Sequence, residues 1–312
     1  MITRVLVTGG AGYLGSVLCD RLLEMGSHVT VVDSLIYRQN SLFHLCANPR
    51  FNFFYGDARD EQLMQRLIAQ ADVVVPLAAV VGAPACDRDP SFARSVNLDA
   101  IRLINRVRSP RQLVVYPTTN SGYGTQTGDV FCTEETPLEP ISLYGQTKSQ
   151  AEQELLESPN TVTLRLATVF GMSPRMRLDL LVNHFVYTAV TDGYIVIFEK
   201  DFKRNYIHIR DVADCFAHCM ENSKQMTGRP YNVGLDAANL SKEELALKIK
   251  EFVPNFFVHF SEVGSDPDKR NYIVSNQRLR EAGFEARRSL EEGIQELLKG
   301  YRMIGCGPFK NA

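Results

Sequence analysis

The segment Thr8-Gly9-Gly10-Ala11-Gly12-Tyr13-Leu14-Gly15 constrains the chain more than any other. It follows the apolar run Val5-Leu6-Val7 and opens a stretch, Ser16 to Met25, whose apolar residues recur at helical spacing. Glycines in a strand-to-helix turn let another backbone or a ligand approach closely. The helix behind them then presents free N–H groups and the positive end of its dipole. Gly9, Gly12 and Gly15 are therefore placed to cradle the pyrophosphate of a dinucleotide.

The surroundings fit such a cradle. Val29-Thr30-Val31-Val32, Phe51-Asn52-Phe53-Phe54 and Val73-Val74-Val75 read as further strands, with a helix from Glu61 to Gln70 between them. The alternation continues through a helix near Phe92 to Val107, a strand at Gln112 to Tyr116, a helix at Gly145 to Glu157 and a strand at Val162 to Ala167. This rhythm predicts an α/β fold with a doubly wound parallel sheet. Beyond Gly171 the pattern loosens, so residues 1–171 are expected to form the dinucleotide-binding domain and 172–312 a smaller substrate lobe, with the chain crossing between them. A length of 312 residues agrees with about two lobes.

Charge and cysteine content narrow the partners. With 34 Lys and Arg against 36 Asp and Glu, the chain lacks the basic excess that duplex nucleic acid or an anionic membrane favours. Seven scattered cysteines without a C-x-x-C pair suggest neither a disulfide framework nor a zinc knuckle, and no metal is expected. The amino terminus lacks a signal-peptide pattern, and the apolar stretch from Val73 to Cys86 is too short to cross a bilayer. A cytoplasmic protein is expected. Cys86 reads as a small buried apolar residue, His208 as a structural histidine, and the Cys215/Cys219 pair has too few companions for a zinc site.

Two further features speak to chemistry. Asp33 ends the second strand, where its carboxylate would accept hydrogen bonds from ribose hydroxyls and repel a 2′-phosphate, which predicts NAD as cofactor. Arg38 stands nearby as a competing signal. Tyr144-Gly145-Gln146-Thr147-Lys148 places a phenol and an ammonium one helical turn apart. A free phenol is too weak a base at neutral pH, so the expectation is that Lys148 and a cationic nicotinamide lower the pKa of Tyr144. Thr119, at a strand end, supplies a hydroxyl.

At these residues the sequence resembles the extended short-chain dehydrogenases/reductases, specifically the nucleotide-sugar epimerases and dehydratases. The resemblance implies that Thr119, Tyr144 and Lys148 are catalytic. It further implies that Tyr13, Leu14, Asp57, Ala58, Leu77, Ala78, Ala79 and Asn97, with the glycines, Asp33, Tyr144 and Lys148, bind the cofactor. Arg204-Asn205-Tyr206-Ile207-His208 is similar to the family's sugar-nucleotide segment, with Asn205 where Asp is usual. Asn120, Ser121, Thr168, Arg175, Arg177, Arg204, Asp268 and Arg270 are the implied substrate contacts, and a homodimer packed through the Tyr144 helix and the helix before Val107 is the implied assembly.

Dehydratases of that family carry Asp-Glu directly after the catalytic Thr, because loss of water requires an extra acid and base. Here Asn120 and Ser121 stand there, which leaves oxidation or reduction at a secondary alcohol. The segments 80–86, 117–124 and 166–179 are similar to those of GDP-manno-heptose C4 dehydrogenases of capsular heptose biosynthesis. That implies a GDP-linked sugar oxidised to its 4-keto form, with a small keto acid as possible oxidant. A nucleotide-sugar 4-epimerase is the alternative. A dinucleotide-binding sensor or scaffold without turnover is a remoter one, disfavoured by the presence of Tyr144 and Lys148.

Overall fold

The structure, a computed structural model, describes residues 3–38, 40–126, 131–262 and 270–304. Seven parallel strands form the central sheet in the order Arg229–Val233, Thr161–Leu166, Leu113–Thr119, Val73–Pro76, Arg4–Thr8, His28–Asp33, Phe51–Tyr55. The chain starts in the middle, winds outward to Phe51–Tyr55, then returns and winds the other way. The reversal falls between Arg4–Thr8 and Val73–Pro76, the switch point at which ligands bind in such sheets.

Strand alternation builds the two layers. Val5 and Val7 face a core shared with Leu18, Leu22, Val212 and Phe216, while Leu6 faces one shared with Met64, Ile101, Ile104 and Leu155. The helix Tyr13–Glu24 therefore lies on one face beside Ile209–Glu221, and Glu61–Ile68, Ala100–Val107 and Leu143–Leu156 cover the other. Asp60 caps Glu61–Ile68 by accepting from Leu63 N, and Ser142 caps Leu143–Leu156 by accepting from Gly145 N at 3.1 Å. The single helix expected from Phe92 to Val107 is three pieces, Pro90–Arg94, a π-type turn Ser95–Asp99 and Ala100–Val107. No helix among the described residues is long and apolar enough to cross a membrane.

The smaller lobe contributes Thr168–Phe170, Lys203–His208 and Asn239–Ser241 as one small sheet, and a parallel pair Tyr194–Phe198 with Phe257–Ser261. The division of the chain at residue 171 does not coincide with the layers. Arg229–Val233 is the outermost strand of the main sheet, and Ile209–Glu221 packs on that sheet against Leu113–Thr119 and beside Tyr13–Glu24. His208 is structural here: Nε2 meets Glu296 Oε2 at 2.9 Å and Nδ1 accepts from Arg210 N.

Gly15 is held by packing. A Cβ there would stand 2.6 Å from Gly10 Cα and from Gly9 O, both backbone atoms that cannot move aside. Gly15→Ala is expected to destabilise the protein by about 1–3 kcal/mol, a fall of several degrees in Tm without added cofactor. An unchanged Tm would show that the turn relaxes freely.

Candidate active site

A cavity of about 1050 Å³ opens over the carboxyl ends of the central strands, lined among others by Gly9, Leu77, Thr119, Arg177, Arg204 and Arg270. That volume lies at the top of the range for one small-molecule site, as two ligands placed end to end require.

The floor at one end is the glycine turn. Gly9 has φ +73°, and a Cβ on it would lie 2.5 Å from Ala78 N, so the turn sits directly against the Leu77-Ala78-Ala79 segment. A Cβ on Gly12 would meet only Gly9 O, at 3.0 Å, and otherwise point into the cavity with Tyr13, Leu14 and Gly15 beside it. No side chain caps the helix that begins there. The Tyr13 hydroxyl is not directed at a ligand: it donates to Gly171 O at 2.7 Å and accepts from Asn183 Nδ2, tying the turn to the second lobe.

Asp33 holds the turn from the other side. Oδ2 accepts from Ala11 N at 2.9 Å and Oδ1 from Leu35 N at 2.8 Å. Burial pushes its carboxyl up, and the two N–H groups and the nearby Arg175 guanidinium oppose this. Arg175, expected on the substrate, lines the cavity close to Asp33. Its guanidinium lies 4.1 Å from the Tyr37 ring centroid, at the Asp33 end of the cavity. Asp57, with Ala58 at the cavity wall, is gripped by Arg59 through Nε at 2.9 Å and Nη2 at 2.6 Å. Asn97, which resembles the family's structural Asn, is 1% exposed and spends its amide on Val80 N and Val80 O, at 2.8 and 2.9 Å. Its effect on the cavity is to hold the loop after Ala79.

At the other end the Thr119 hydroxyl donates to Ser121 Oγ at 2.9 Å, and Arg270 also donates to Ser121 Oγ. Asn120 does not line the cavity; it is 1% exposed and turned into the protein, which corrects its place among the substrate contacts. Tyr144 and Lys148 both face the cavity from the helix Leu143–Leu156. The Lys148 ammonium lies 3.9 Å from the Tyr116 ring centroid, against a π face and not on a hydrogen-bond acceptor among the described residues. Burial pushes this ammonium down to about 7, with Glu152 opposing.

The phenol moves the opposite way from the expectation. Burial pushes Tyr144 up to about 12; Arg177 opposes this, the Cys86 thiol adds to it, and Arg270 opposes it. Removal from water penalises the phenolate more than these cations favour it. The acidification expected of Tyr144 is therefore not a property of the chain without its cofactor.

Arg177 stands beside Tyr144 and forks onto Asp179, with bonds of 3.1 and 2.5 Å. Thr168 and Arg204 line the same end, Arg204 with its guanidinium 5.6 Å from the Tyr272 ring centroid. Lys242, which sequence reasoning missed, joins them while donating to Phe198 O at 3.0 Å. A lysine opening a helix carries no sequence signal that distinguishes it from a solvated one. Asp268 lies outside the described residues. No group of three metal-binding side chains comes together among the described residues.

These features fit a dinucleotide: an uncapped helix start, a glycine whose missing Cβ leaves open space, a carboxylate at the end of the second strand and a buried ammonium facing the cavity. Comparison with known proteins agrees. Residues 5–234 match the model of the NAD dependent epimerase/dehydratase family. The chain is 28% identical to UDP-arabinose 4-epimerase 1 of Arabidopsis thaliana over 90% of its own length and 78% of that protein. It is likewise 28% identical to a dTDP-glucose 4,6-dehydratase of Actinoplanes over 96% of its length and 98% of the relative. Among solved structures, UDP-glucose 4-epimerase of Thermotoga maritima with UDP-glucose superimposes with a TM-score of 0.84 at 24% identity, covering 96% of this chain and 99% of that one. The dTDP-glucose 4,6-dehydratase of Bacillus anthracis with NAD gives 0.84 at 20% identity, covering 96% and 97%.

Replacing Asp33 by Ser removes both a hydroxyl acceptor and a negative charge, and leaves Arg175 and Arg38 at the rim. NADH affinity should fall and NADPH affinity rise, changing their ratio by on the order of tenfold or more (~1.4 kcal/mol). Fluorescence titration of both cofactors measures this. A wild-type protein that binds NADPH as tightly as NADH would overturn the role given to Asp33.

Proposed function

The chain belongs to the NAD dependent epimerase/dehydratase family and is an NAD-dependent enzyme, and on that premise we propose that it oxidises the C4 hydroxyl of a nucleotide-diphosphate sugar without removing water. The observation that carries this reading is the company kept by Tyr144. It shares the cavity with two hydroxyls, Thr119 and Ser121, and with the cations Arg177, Arg204, Arg270 and Lys242, of which Arg177 and Arg270 act on its phenol. The position after Thr119 holds an amide turned into the core, so the acid and base that elimination of water requires are not there.

In this reading Tyr144 Oη takes the proton from the sugar hydroxyl, and Thr119 and Ser121 hold the same oxygen. Lys148 holds the ribose next to the reacting ring. Arg204, Arg270 and Lys242 carry the charge of the diphosphate. NAD, when bound, supplies the two-electron acceptor and a cationic ring that favours the phenolate. The walls shed water from the phenol, which is the same burial that raises it in the free protein.

Reduction of the ketose from its other face makes the chain a 4-epimerase, the fate supported by its likeness to UDP-arabinose 4-epimerase. A second reading, release of a 4-keto sugar, is favoured by the segments 80–86, 117–124 and 166–179, which resemble GDP-manno-heptose C4 dehydrogenases. It requires an external oxidant such as a small keto acid. The homodimer proposed through the helices Ala100–Val107 and Leu143–Leu156 would be joined by a polar face, with Gln146, Gln150 and Gln153 exposed beside the Arg102–Glu154 pair.

Tyr144→Phe should lower turnover by about a hundredfold to ten-thousandfold, the span usual for a general base, while the variant still binds NADH by fluorescence titration. Undiminished turnover would sink the mechanism. The two fates separate by redox accounting. With UDP-arabinose or UDP-glucose, an epimerase converts substrate continuously without oxidant. With GDP-manno-heptose, a dehydrogenase forms one equivalent of NADH, followed by absorbance, and stalls until a keto acid is added. Any deoxy sugar among the products would contradict both readings.

A further inference from the structure

Behind the cavity, a carboxylate and a guanidinium are buried side by side. Glu152 is 1% exposed and lies one helical turn beyond Lys148 on the same face of Leu143–Leu156; Arg165, on the strand Thr161–Leu166, is 6% exposed. Both donors that Arg165 gives to this carboxylate, Nε at 2.9 Å and Nη2 at 2.6 Å, go to the one oxygen Oε1. Glu152 Oε2 is buried without a hydrogen-bond partner among the described residues. The remaining Arg165 donor, Nη1, goes to Tyr123 Oη at 3.0 Å and Glu134 O at 3.1 Å.

Stability alone does not account for this arrangement. A buried ion pair gains little over apolar residues of similar volume, and a pair selected for strength would be a two-oxygen fork. Here the fork is spent on one oxygen, and the free one belongs to a carboxylate one helical turn from the Lys148 ammonium on the same helix face. The titratable groups around that ammonium are few. Tyr116 presents its ring from the strand Leu113–Thr119, and Tyr144 and Glu152 come from the same helix. Arg177, Arg270 and Cys86 act on Tyr144 from across the cavity. Glu152 is therefore the anion that offsets the burial of Lys148.

We propose that Glu152, locked in place by Arg165 one helical turn from Lys148 and out of hydrogen-bond reach of it, is a positioning residue of the cofactor site: its fixed charge favours the ammonium that Lys148 holds over the Tyr116 ring and presents to the ribose of the bound dinucleotide. The proposal rests on the reading that Lys148 holds that ribose. Arg165 prevents Glu152 from swinging to Lys148, so the ammonium keeps its N–H groups for the ligand. Direction follows from charge. Burial alone lowers the proton affinity of Lys148, and Glu152 restores part of it. If a protonated Lys148 favours NADH, affinity in the wild type declines as pH rises through the midpoint of that group, and loss of Glu152 moves the decline to lower pH.

The test is NADH fluorescence titration between about pH 6 and pH 9 for the wild type, Glu152→Gln, Glu152→Asp and Lys148→Met. Glu152→Gln should shift the midpoint down by about one unit, which weakens NADH by about tenfold at pH 8 to 9, about fivefold at pH 7 and about twofold at pH 6. Glu152→Asp, which keeps the charge, should recover most of the affinity. Should Glu152→Gln not fold because Arg165 is left unpaired, the double variant Glu152→Gln, Arg165→Met removes the anion together with its cation and must still shift the midpoint down, by less than the single variant. An unshifted midpoint, or a uniform loss of affinity at every pH, would overturn the proposal. Lys148→Met binding NADH like the wild type would instead overturn the reading of Lys148 on which it rests.

Discussion

The close approach of the Gly9 backbone to that of Ala78 is the constraint on which the rest of the site depends. It brings the turn after the first strand against the loop after the fourth, at the point where the winding of the sheet reverses. No side chain fits between them. With these two segments in contact, the helix Tyr13–Glu24 aims its uncapped start into the cavity, and Asp33 reaches across to Ala11 N to fix the turn's other edge. Everything the cavity holds is measured from this junction.

The second organising influence is burial of charge. The helix Leu143–Leu156 carries a phenol, an ammonium and a carboxylate at successive turns of one face, all removed from water to different depths. Desolvation pushes the phenol up and the ammonium down, so burial disfavours the charged form of both groups. Such a site is poised to respond to a cationic ligand. The second lobe adds to this field, since Arg177 reaches Tyr144 from the segment after Gly171 and Arg270 reaches Ser121. The network around Arg165 joins the reacting helix to the turn after Thr119 and, through Tyr123 Oη and Asn232, to the outermost strand of the sheet. Chemistry and scaffold thus share one set of buried polar contacts.

By itself the sequence determined the doubly wound sheet, the glycine turn, Asp33, and the Tyr144/Lys148 pair. Each of these is a local pattern: strand and helix periods of two and 3.6 residues, or a spacing that fixes which side chains share a helix face. It did not determine the direction of the Tyr144 shift, because that depends on how completely neighbouring elements exclude water. Nor did it place Arg175, whose partners Tyr37 and Asp33 are about 140 residues away in sequence. Asn120 reads as a ligand contact from its position in a motif, yet it is almost fully buried and does not line the cavity. Lys242 and the Glu152–Arg165 pair became visible only with the fold, since a charge in a helix looks the same in sequence whether it faces solvent or a cavity. The tertiary structure decided these matters because burial and long-range proximity are properties of the packed chain, and no local pattern encodes them.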